Sequence, residues 1–210
     1  MADRTRRRSP LAVQLLLLLD EEPMHAYRMQ RLIKERHKDR IVNIAQRNSV
    51  YQTLDRLLRA ELITVHDTER APPRPERTVY RLTEAGRDTL HTWLRTMLAT
   101  PAREFPEFPV ALAALPSITP ELAVELLESR VQALRERLDE GAAEAAEAER
   151  IGLPRLFLLE EEYRRAVTEA ELRWVEGLLD DLRAGRLTWD RTWLEQVATY
   201  FGRTEETDEG

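Results

Sequence analysis

Apolar residues recur at helical spacing near the start of the chain and predict three short helices. Ser9-Pro10 supplies an N-cap residue and a proline at the first helical position, so the first helix is expected over residues 10–20. A second helix begins near His25, after a break at a proline. The third begins at Asn48-Ser49, two favourable N-cap residues. Its predicted core stripe consists of Val50, Tyr51, Leu54, Leu57 and Leu58.

Two runs rich in β-branched residues follow the third helix and predict a β-hairpin. The runs are residues 62–66 and 78–82, and a polar, proline-containing stretch over residues 67–77 joins them. An earlier apolar run, residues 41–44, is long enough for one further strand pairing. Thr83 is placed to cap a fourth helix. This order of helices and strands predicts a winged helix-turn-helix with a small β wing.

The second half of the chain carries only helical patterns. A long helix opens at Thr119-Pro120, another follows the break at Gly152 and Pro154, and a last one spans residues 190–201. The first long helix carries a heptad seam of Val124, Leu127, Val131, Leu134 and Leu138. The apolar residues of the next are Leu156, Leu159, Tyr163, Val167, Ala170, Trp174, Leu178 and Leu182. The seam predicts pairing of two copies of the chain, and a hairpin within one chain remains the alternative for part of it.

Charge is distributed unevenly along the 210 residues. Residues 1–99 hold 19 Lys+Arg against 13 Asp+Glu, a net +6, whereas the remainder holds 13 against 25, a net −12. A basic half joined to an acidic half indicates that one end meets a polyanion, and the alternative from charge alone is chance together with a solvated acidic helix surface. We therefore expect a basic disordered arm (1–9), a DNA-binding domain (10–99), a helical dimerisation domain (100–202) and a disordered tail (203–210).

The polar face of the third helix is the candidate DNA-reading surface. A recognition helix presents short polar or arginine side chains to base edges while apolar residues anchor its other face. Gln52 is expected to bond adenine, Arg56 guanine or a phosphate, and Thr53 a thymine methyl group or a phosphate. Asn48 and Ser49 lie at the helix start, where free N–H groups favour phosphate.

Three further residues complete the candidate interface. The Tyr51 ring belongs to the predicted core stripe, while its hydroxyl is expected to reach a phosphate. Arg74 and Arg77 lie in the predicted wing, where they would follow the DNA backbone or enter the minor groove. The prolines around Arg74 would stiffen this loop.

Residue types and spacings argue against catalysis, a metal or a cofactor. The chain has no Cys, its seven Gly are scattered, and its four His lie in separate predicted elements without metal-ligand spacing. The longest apolar run, residues 15–19, is far shorter than the roughly 20 residues needed to span a bilayer. We therefore expect a cytoplasmic protein that is not an enzyme and has no membrane partner.

Four motifs in this order and spacing resemble the PadR family of bacterial repressors. They are Leu16-Leu17-Leu18-Leu19 followed by Pro23-Met24-His25-Ala26-Tyr27; Ser49-Val50-Tyr51-Gln52-Thr53-Leu54-Asp55-Arg56-Leu57; Glu61-Leu62-Ile63; and Val79-Tyr80-Arg81-Leu82-Thr83-Glu84-Ala85-Gly86-Arg87. The resemblance covers about residues 10–98, and the paired long helices beyond look like the larger C-terminal domain of one branch. The family usually has Gly where this chain has Ala26, and it often has Gly where this chain has Asn48. Asn tolerates left-handed and capping geometry, so the start of the third helix is expected to survive.

The resemblance implies a regulator, here a repressor, that binds a palindromic operator on double-stranded DNA as a homodimer through its C-terminal helices. It also implies release of DNA when a phenolic acid, a drug or another small effector binds; no effector-binding residue is assigned. The alternative is a helical protein–protein interaction module that does not bind DNA. The polar side chains Gln52, Thr53 and Arg56 argue against that alternative.

Overall fold

The computed structural model describes residues 8–44, 48–69 and 77–205, which divide between Glu104 and Phe105 into two compact units. Most of the predicted basic arm, Arg74 and the last five residues of the predicted tail lie outside the described residues. The first unit contains helices α1 (Pro10–Glu21), α2 (Ala26–Glu35), α3 (Ser49–Arg59) and α4 (Glu84–Ala99), with strands β1 (Met24–His25), β2 (Ile63–Glu69) and β3 (Arg77–Leu82). The second contains α5 (Glu107–Ala113), α6 (Pro120–Arg150), α7 (Leu159–Arg183) and α8 (Arg191–Glu205).

Helix α1 is the centre of the first unit. Its start matches the prediction, because the Ser9 hydroxyl accepts a hydrogen bond from the Ala12 N–H at 3.2 Å and Pro10 opens the helix. Seven of its twelve residues are buried, and they cover more than half of the helix circumference. A helix with so wide an apolar surface must be enclosed by several other elements, and α3, α4 and β3 all pack against α1.

The sheet has three antiparallel strands in the order β1-β3-β2. The predicted β2–β3 hairpin is present, with a bulge between Val65 and Asp67. The predicted strand at residues 41–44 is wrong. There the Ile41 and Val42 N–H groups bond back to the carbonyl of Lys38, which closes a turn instead of extending the chain. The free edge of β3 is paired by the two residues of β1.

Gly86, near the start of α4, lies where the chain passes closest to itself. Thr83 caps α4 as predicted, and its hydroxyl also contacts the carbonyls of Glu61 and Leu62, which draws the helix start onto the end of the α3–β2 connection. A Cβ added at Gly86 would lie 2.0 Å from the Leu62 carbonyl oxygen and 2.7 Å from Leu82 Cδ1. Only glycine fits this approach.

Helices α6 and α7 form a hairpin in the second unit. Its core consists of Ala123, Leu127, Val131, Val175, Leu179 and Leu182. In the predicted heptad seam Leu127, Val131 and Leu134 are buried within the chain, and Val124 and Leu138 are half-buried. The seam therefore closes a hairpin within one chain, and its predicted use in pairing two copies is wrong for the buried positions. Helix α6 also runs unbroken through the Ala- and Glu-rich stretch to Arg150.

Helix α7 has a second apolar face that the hairpin leaves exposed. The face consists of Leu159, Tyr163, Val167, Ala170 and Trp174, spaced three or four residues apart. Tyr163 is 71% exposed and Trp174 is 52% exposed, whereas Thr168 and Val175, on the adjacent face, are buried. We call these five residues the outer α7 face. Leu156, just before the helix, is 71% exposed as well.

The predicted class, mainly α with a small β wing and a helical second half, is confirmed by this architecture. Helix α8 ends at Glu205 and so includes the first three residues of the predicted tail. Within the part of the chain that the structure describes, no helix combines the length and apolarity that a membrane crossing requires. The same residues contain no group of three or more potential ligand side chains arranged for a metal ion.

Replacing Gly86 by alanine is expected to lower the free energy of unfolding by about 1–3 kcal/mol or more, because the new methyl group meets a backbone carbonyl that cannot move independently. Gly177→Ala is the matched control. A Cβ at Gly177, inside α7, meets nothing within 4 Å, so this variant should gain about 0.5–1 kcal/mol from helix propensity. Urea denaturation of both variants measures the difference, and equal effects would contradict the close approach.

Candidate nucleic-acid interface

Helix α3 has one face in the core and one in solvent, as a recognition helix requires. Val50 and Leu54 are fully buried and Leu57 is 1% exposed. These positions follow the i, i+4, i+7 pattern of a single stripe, which packs against α1 and α2. This packing fixes the orientation of α3, so that its opposite side faces the solvent.

The predicted contact residues at the start of α3 occupy this outward side. Asn48 is exposed at the N-cap position without a side-chain capping bond, and Ser49 is the half-buried first residue of the helix. Gln52 is exposed. Tyr51 was expected to place its ring in the core, but it is 49% exposed, because it lies one residue past Val50 and is turned away from the buried stripe.

Thr53 is a correction to the predicted polar face. It is only 9% exposed, since its position three residues after Val50 and four before Leu57 places it on the buried stripe. That spacing was visible in the sequence, where the hydroxyl group suggested the opposite face. Thr53 therefore contributes to packing under the helix, and the exposed surface of α3 is narrower than predicted.

Arg56 is half-buried and joins α3 to the start of α1. Its Nη2 donates a hydrogen bond to the Ser9 hydroxyl oxygen at 3.0 Å, so Ser9 accepts both from Arg56 and from the Ala12 backbone. The Arg56 Nε is buried and has no hydrogen-bond partner. No sequence pattern indicates this contact, because the two residues lie 47 positions apart. By contrast Arg59, on the exposed side of α3, bonds among the described residues to the Asp55 carbonyl of its own helix.

The exposed edge of α3 adjoins strand β3 through Tyr80. Burial raises the pKa of the Tyr80 hydroxyl, and the negative charge of Asp55 and the phenol of Tyr51 raise it further. The hydroxyl therefore stays protonated at physiological pH and keeps its donor proton.

Arg77 lies at the start of β3 and contacts the N-terminus of α2. Its guanidinium carbon is 5.4 Å from the centre of the Tyr27 ring, and its Nη1 is 3.4 Å from His25 Nε2. The sequence indicated neither His25 nor Tyr27 as part of the site. Arg74, the other wing residue of the prediction, lies outside the described residues.

Together these residues offer donors and cations on a rigid scaffold. Arg56 and Arg77 carry permanent charge, while Asn48, Ser49, Tyr51 and Gln52 offer neutral polar groups. An arrangement of this kind is typical of surfaces that bind a phosphate backbone and contact base edges.

The model of the transcriptional regulator PadR-like family matches residues 15–92. This stretch runs from within α1 into α4 and so includes the whole candidate interface. The members of this family are transcriptional regulators, which agrees with the expectation that the chain is not an enzyme. None of the curated proteins matches the chain.

Solved structures of PadR proteins share the fold. Bacillus subtilis PadR in complex with operator DNA has a TM-score of 0.64 at 20% identity, over 82% of this chain and 98% of that one. The same protein in complex with p-coumaric acid has a TM-score of 0.65 at 18% identity, over 83% and 99%. The PadR-like regulator BC1756 from Bacillus cereus has a TM-score of 0.58 at 13% identity, over 83% and 99%. At sequence identities of 20% or less, this structural similarity establishes the fold alone.

The Ser9–Arg56 contact predicts energetic coupling between the two side chains. Ser9→Ala and Arg56→Ala should each lower the free energy of unfolding by about 1–2 kcal/mol, since one loses an N-cap and both lose the hydrogen bond. In a double-mutant cycle the coupling should be about 0.5–1.5 kcal/mol. Arg59→Ala should change stability by less than about 0.5 kcal/mol. Strict additivity of the two substitutions would show that the contact does not contribute.

Proposed function

We propose that the chain is a cytoplasmic repressor of the transcriptional regulator PadR-like family, whose model matches residues 15–92, and that it binds a palindromic operator as a homodimer. DNA binding is assigned to residues 10–99 and dimerisation to residues 100–202. The observation that carries the proposal is the two-sided character of α3. Its apolar stripe is buried in the core, and its opposite face presents polar side chains to solvent.

The residues of the outward face have different roles in this proposal. Gln52 reads a base, with adenine as the partner that its amide matches best. Asn48, Ser49 and Tyr51 contact phosphates and hold the helix in register, and Arg77 does the same from the wing. The hydrogen bond from Arg56 to Ser9 restricts the positions of the guanidinium group, so Arg56 contacts only a base or phosphate that lies within this range. The DNA-binding role predicted for Thr53 is not retained, because its side chain is covered.

Dimerisation is proposed to use the outer α7 face. A single winged helix makes few base contacts, whereas a symmetric pair reads two half-sites of a palindrome. Large apolar side chains aligned on one helix face indicate an interface with another helical surface. A second copy of the chain supplies such a surface, and an isologous contact closes the pair.

A small-molecule effector is the remaining part of the proposal. Bacillus subtilis PadR, which shares the fold, has been solved in complex with operator DNA and in complex with p-coumaric acid. By analogy we propose that a small aromatic or drug-like compound weakens DNA binding by this chain as well. No residue is assigned to its binding site.

DNA recognition is tested by measuring affinity for the sequence upstream of the chain's own gene and for a scrambled duplex of equal length, across a salt series. We expect selective binding that weakens steeply with salt. Gln52→Ala should reduce the affinity for the operator by about 1–3 kcal/mol and leave the affinity for the scrambled duplex unchanged.

Gln132→Ala is the matched control, because Gln132 is exposed on α6 and bonds only to Glu136. Equal losses on both duplexes would exclude base reading by Gln52. If the wild-type protein binds neither duplex even at low salt, the helical protein–protein interaction module replaces the repressor.

The dimer interface is tested with Val167→Asp. A carboxylate in the middle of the outer α7 face should raise the dimer dissociation constant at least about tenfold, because the charge would be buried without a partner. Sedimentation equilibrium gives this constant directly. Arg165→Gln alters the net charge by the same amount two residues away, in an exposed pair with Glu169, and should leave the dimer intact. A Val167→Asp protein that dimerises like wild type would exclude this face.

A further inference from the structure

Three consecutive arginines stand directly before Ser9, and DNA binding as proposed above does not use this run. The sequence reads Arg6-Arg7-Arg8-Ser9-Pro10, so a hydroxyl residue follows a block of positive charge. Ser9 is half-buried and Pro10 is exposed, which leaves this position partly open to solvent. We propose that Ser9 is a phosphorylation site and that a phosphate there weakens DNA binding by engaging Arg56 of α3. Its effect on DNA rests on the function proposed above.

The Arg56 guanidinium already points at the Ser9 oxygen and lacks a counter-charge. Its Nη2 donates to the Ser9 hydroxyl at 3.0 Å, while its buried Nε has no hydrogen-bond partner among the described residues. No carboxylate in this part of the chain forms an ion pair with Arg56. A half-buried cation with only a neutral acceptor is poorly compensated, because a hydroxyl recovers only part of the free energy of desolvation. A phosphate on Ser9 would supply the missing negative charge.

The start of α1 would hold the same phosphate from the other side. Ser9 is the N-cap of this twelve-residue helix, and its oxygen accepts from the Ala12 N–H at 3.2 Å. The first N–H groups of a helix have no carbonyl partner within the helix, and the helix dipole favours negative charge there. A phosphoserine carries a charge of about −1.5 to −2 and has three strong acceptor oxygens, so it can accept from Ala12 and Arg56 at once.

The modification is a phosphoryl transfer from a nucleoside triphosphate, catalysed by a protein kinase. Ser9 Oγ attacks the γ-phosphorus, and a new O–P bond forms while the bond from that phosphorus to the bridging oxygen of the leaving nucleoside diphosphate breaks. The hydroxyl proton passes to the general base of the kinase. The arginines before Ser9 fit a kinase whose peptide groove is acidic, and Pro10 restricts the choice to kinases that accept proline after the serine.

Phosphorylation changes the candidate interface in two ways, and both oppose DNA binding. Arg56 becomes the ion-pair partner of the new phosphate, so its guanidinium is no longer available to a base or a DNA phosphate. The added negative charge lies beside α3 and repels the duplex. The buried stripe of α3 is not touched, so we expect a loss of affinity without a change of fold.

Kinase labelling tests whether Ser9 is a substrate. The purified full chain is incubated with an extract of its source cells and γ-labelled ATP, and the labelled peptide is identified by mass spectrometry. We expect label on Ser9 in wild type and its loss in Ser9→Asn, which keeps a favourable N-cap residue. A wild-type chain that takes up no label at Ser9 would overturn the modification.

The contact with Arg56 is tested on a chain that carries phosphoserine at position 9, introduced during translation. A guanidinium and a helix N-terminus stabilise the dianion, so the second pKa of this phosphate should fall by at least about 0.5 from its ordinary value of about 6. In Arg56→Ala it should return at least halfway, as measured by ³¹P NMR. Phosphoserine at position 129, on the exposed side of α6, is the control with a pKa close to the ordinary value. A pKa that does not respond to Arg56→Ala would overturn the contact.

The effect on DNA is measured on the upstream and the scrambled duplex across a salt series. Phosphoserine at position 9 should lower both affinities roughly tenfold at low salt, and Ser9→Asp about threefold, because an electrostatic loss does not depend on sequence. The neutral Ser9→Asn and phosphoserine at position 129 should each stay within about twofold of wild type. An affinity within about twofold of wild type for phosphoserine at position 9 would overturn the regulatory role.

The phosphorylation site and the repressor function fail in different ways. The labelling and the ³¹P measurement use no DNA, so they decide on the modification and on the Arg56 contact even if wild type binds neither duplex. In that case the repressor function fails, and the effect of the phosphate on DNA binding fails with it. If wild type binds the upstream duplex selectively and phosphoserine leaves this affinity unchanged, the repressor function stands and the regulatory role of Ser9 is excluded.

Discussion

The burial of helix α1 is the constraint on which the DNA-binding unit depends. Its leucines are enclosed by α3, α4 and β3, and each fully buried leucine contributes about 1.5–3 kcal/mol of transfer free energy. Polar contacts at its two ends fix the neighbours in rotation. At one end Ser9 accepts a hydrogen bond from Arg56 of α3, and at the other Asp20 pairs with Arg87 of α4 at 2.5 Å. Helix α1, which lies outside the predicted DNA-contact surface, therefore sets the orientation of α3.

This arrangement separates two tasks at the candidate interface. The outward residues of α3 stand on a rigid stripe, which suits side chains that must meet base edges within a few tenths of an ångström. Arg77, at the start of β3, lies on a different element and carries only donors. Phosphates are spaced regularly along any duplex, so contacts from a second location fix register and orientation without limiting the sequence.

In the second unit, adjacent faces of helix α7 differ in their contacts. One face, with Val175, Leu179 and Leu182, packs against α6. Beside this contact Arg130 of α6 packs over the Phe108 ring and pairs with Glu171 of α7, which links the two helices of the hairpin. Trp174, at one end of the outer α7 face, contacts the Phe108 ring edge to face. The other large side chains of this face, Leu159, Tyr163 and Val167, are exposed, and a symmetric pair would cover them.

The sequence by itself determined the elements and their order, because the signals involved are local. Caps such as Ser9, Thr83 and Thr119 act within one helical turn, and the predicted helix starts at these residues are confirmed. The β2–β3 hairpin was equally visible, since its strands are joined by a short connection. The motifs around α3 and α4 pointed to the same family whose model matches residues 15–92.

Only the tertiary structure decided which faces are covered and which distant groups meet. The spacing that buries Thr53 and exposes Tyr51 was visible in the sequence, but the contact of Arg56 with Ser9 exists because α3 packs against α1. Met24 and His25 form a strand because β3 has a free edge that they can reach, whereas the more β-like residues 41–44 close a turn. These outcomes depend on contacts between residues dozens of positions apart, whose free energies no local pattern records.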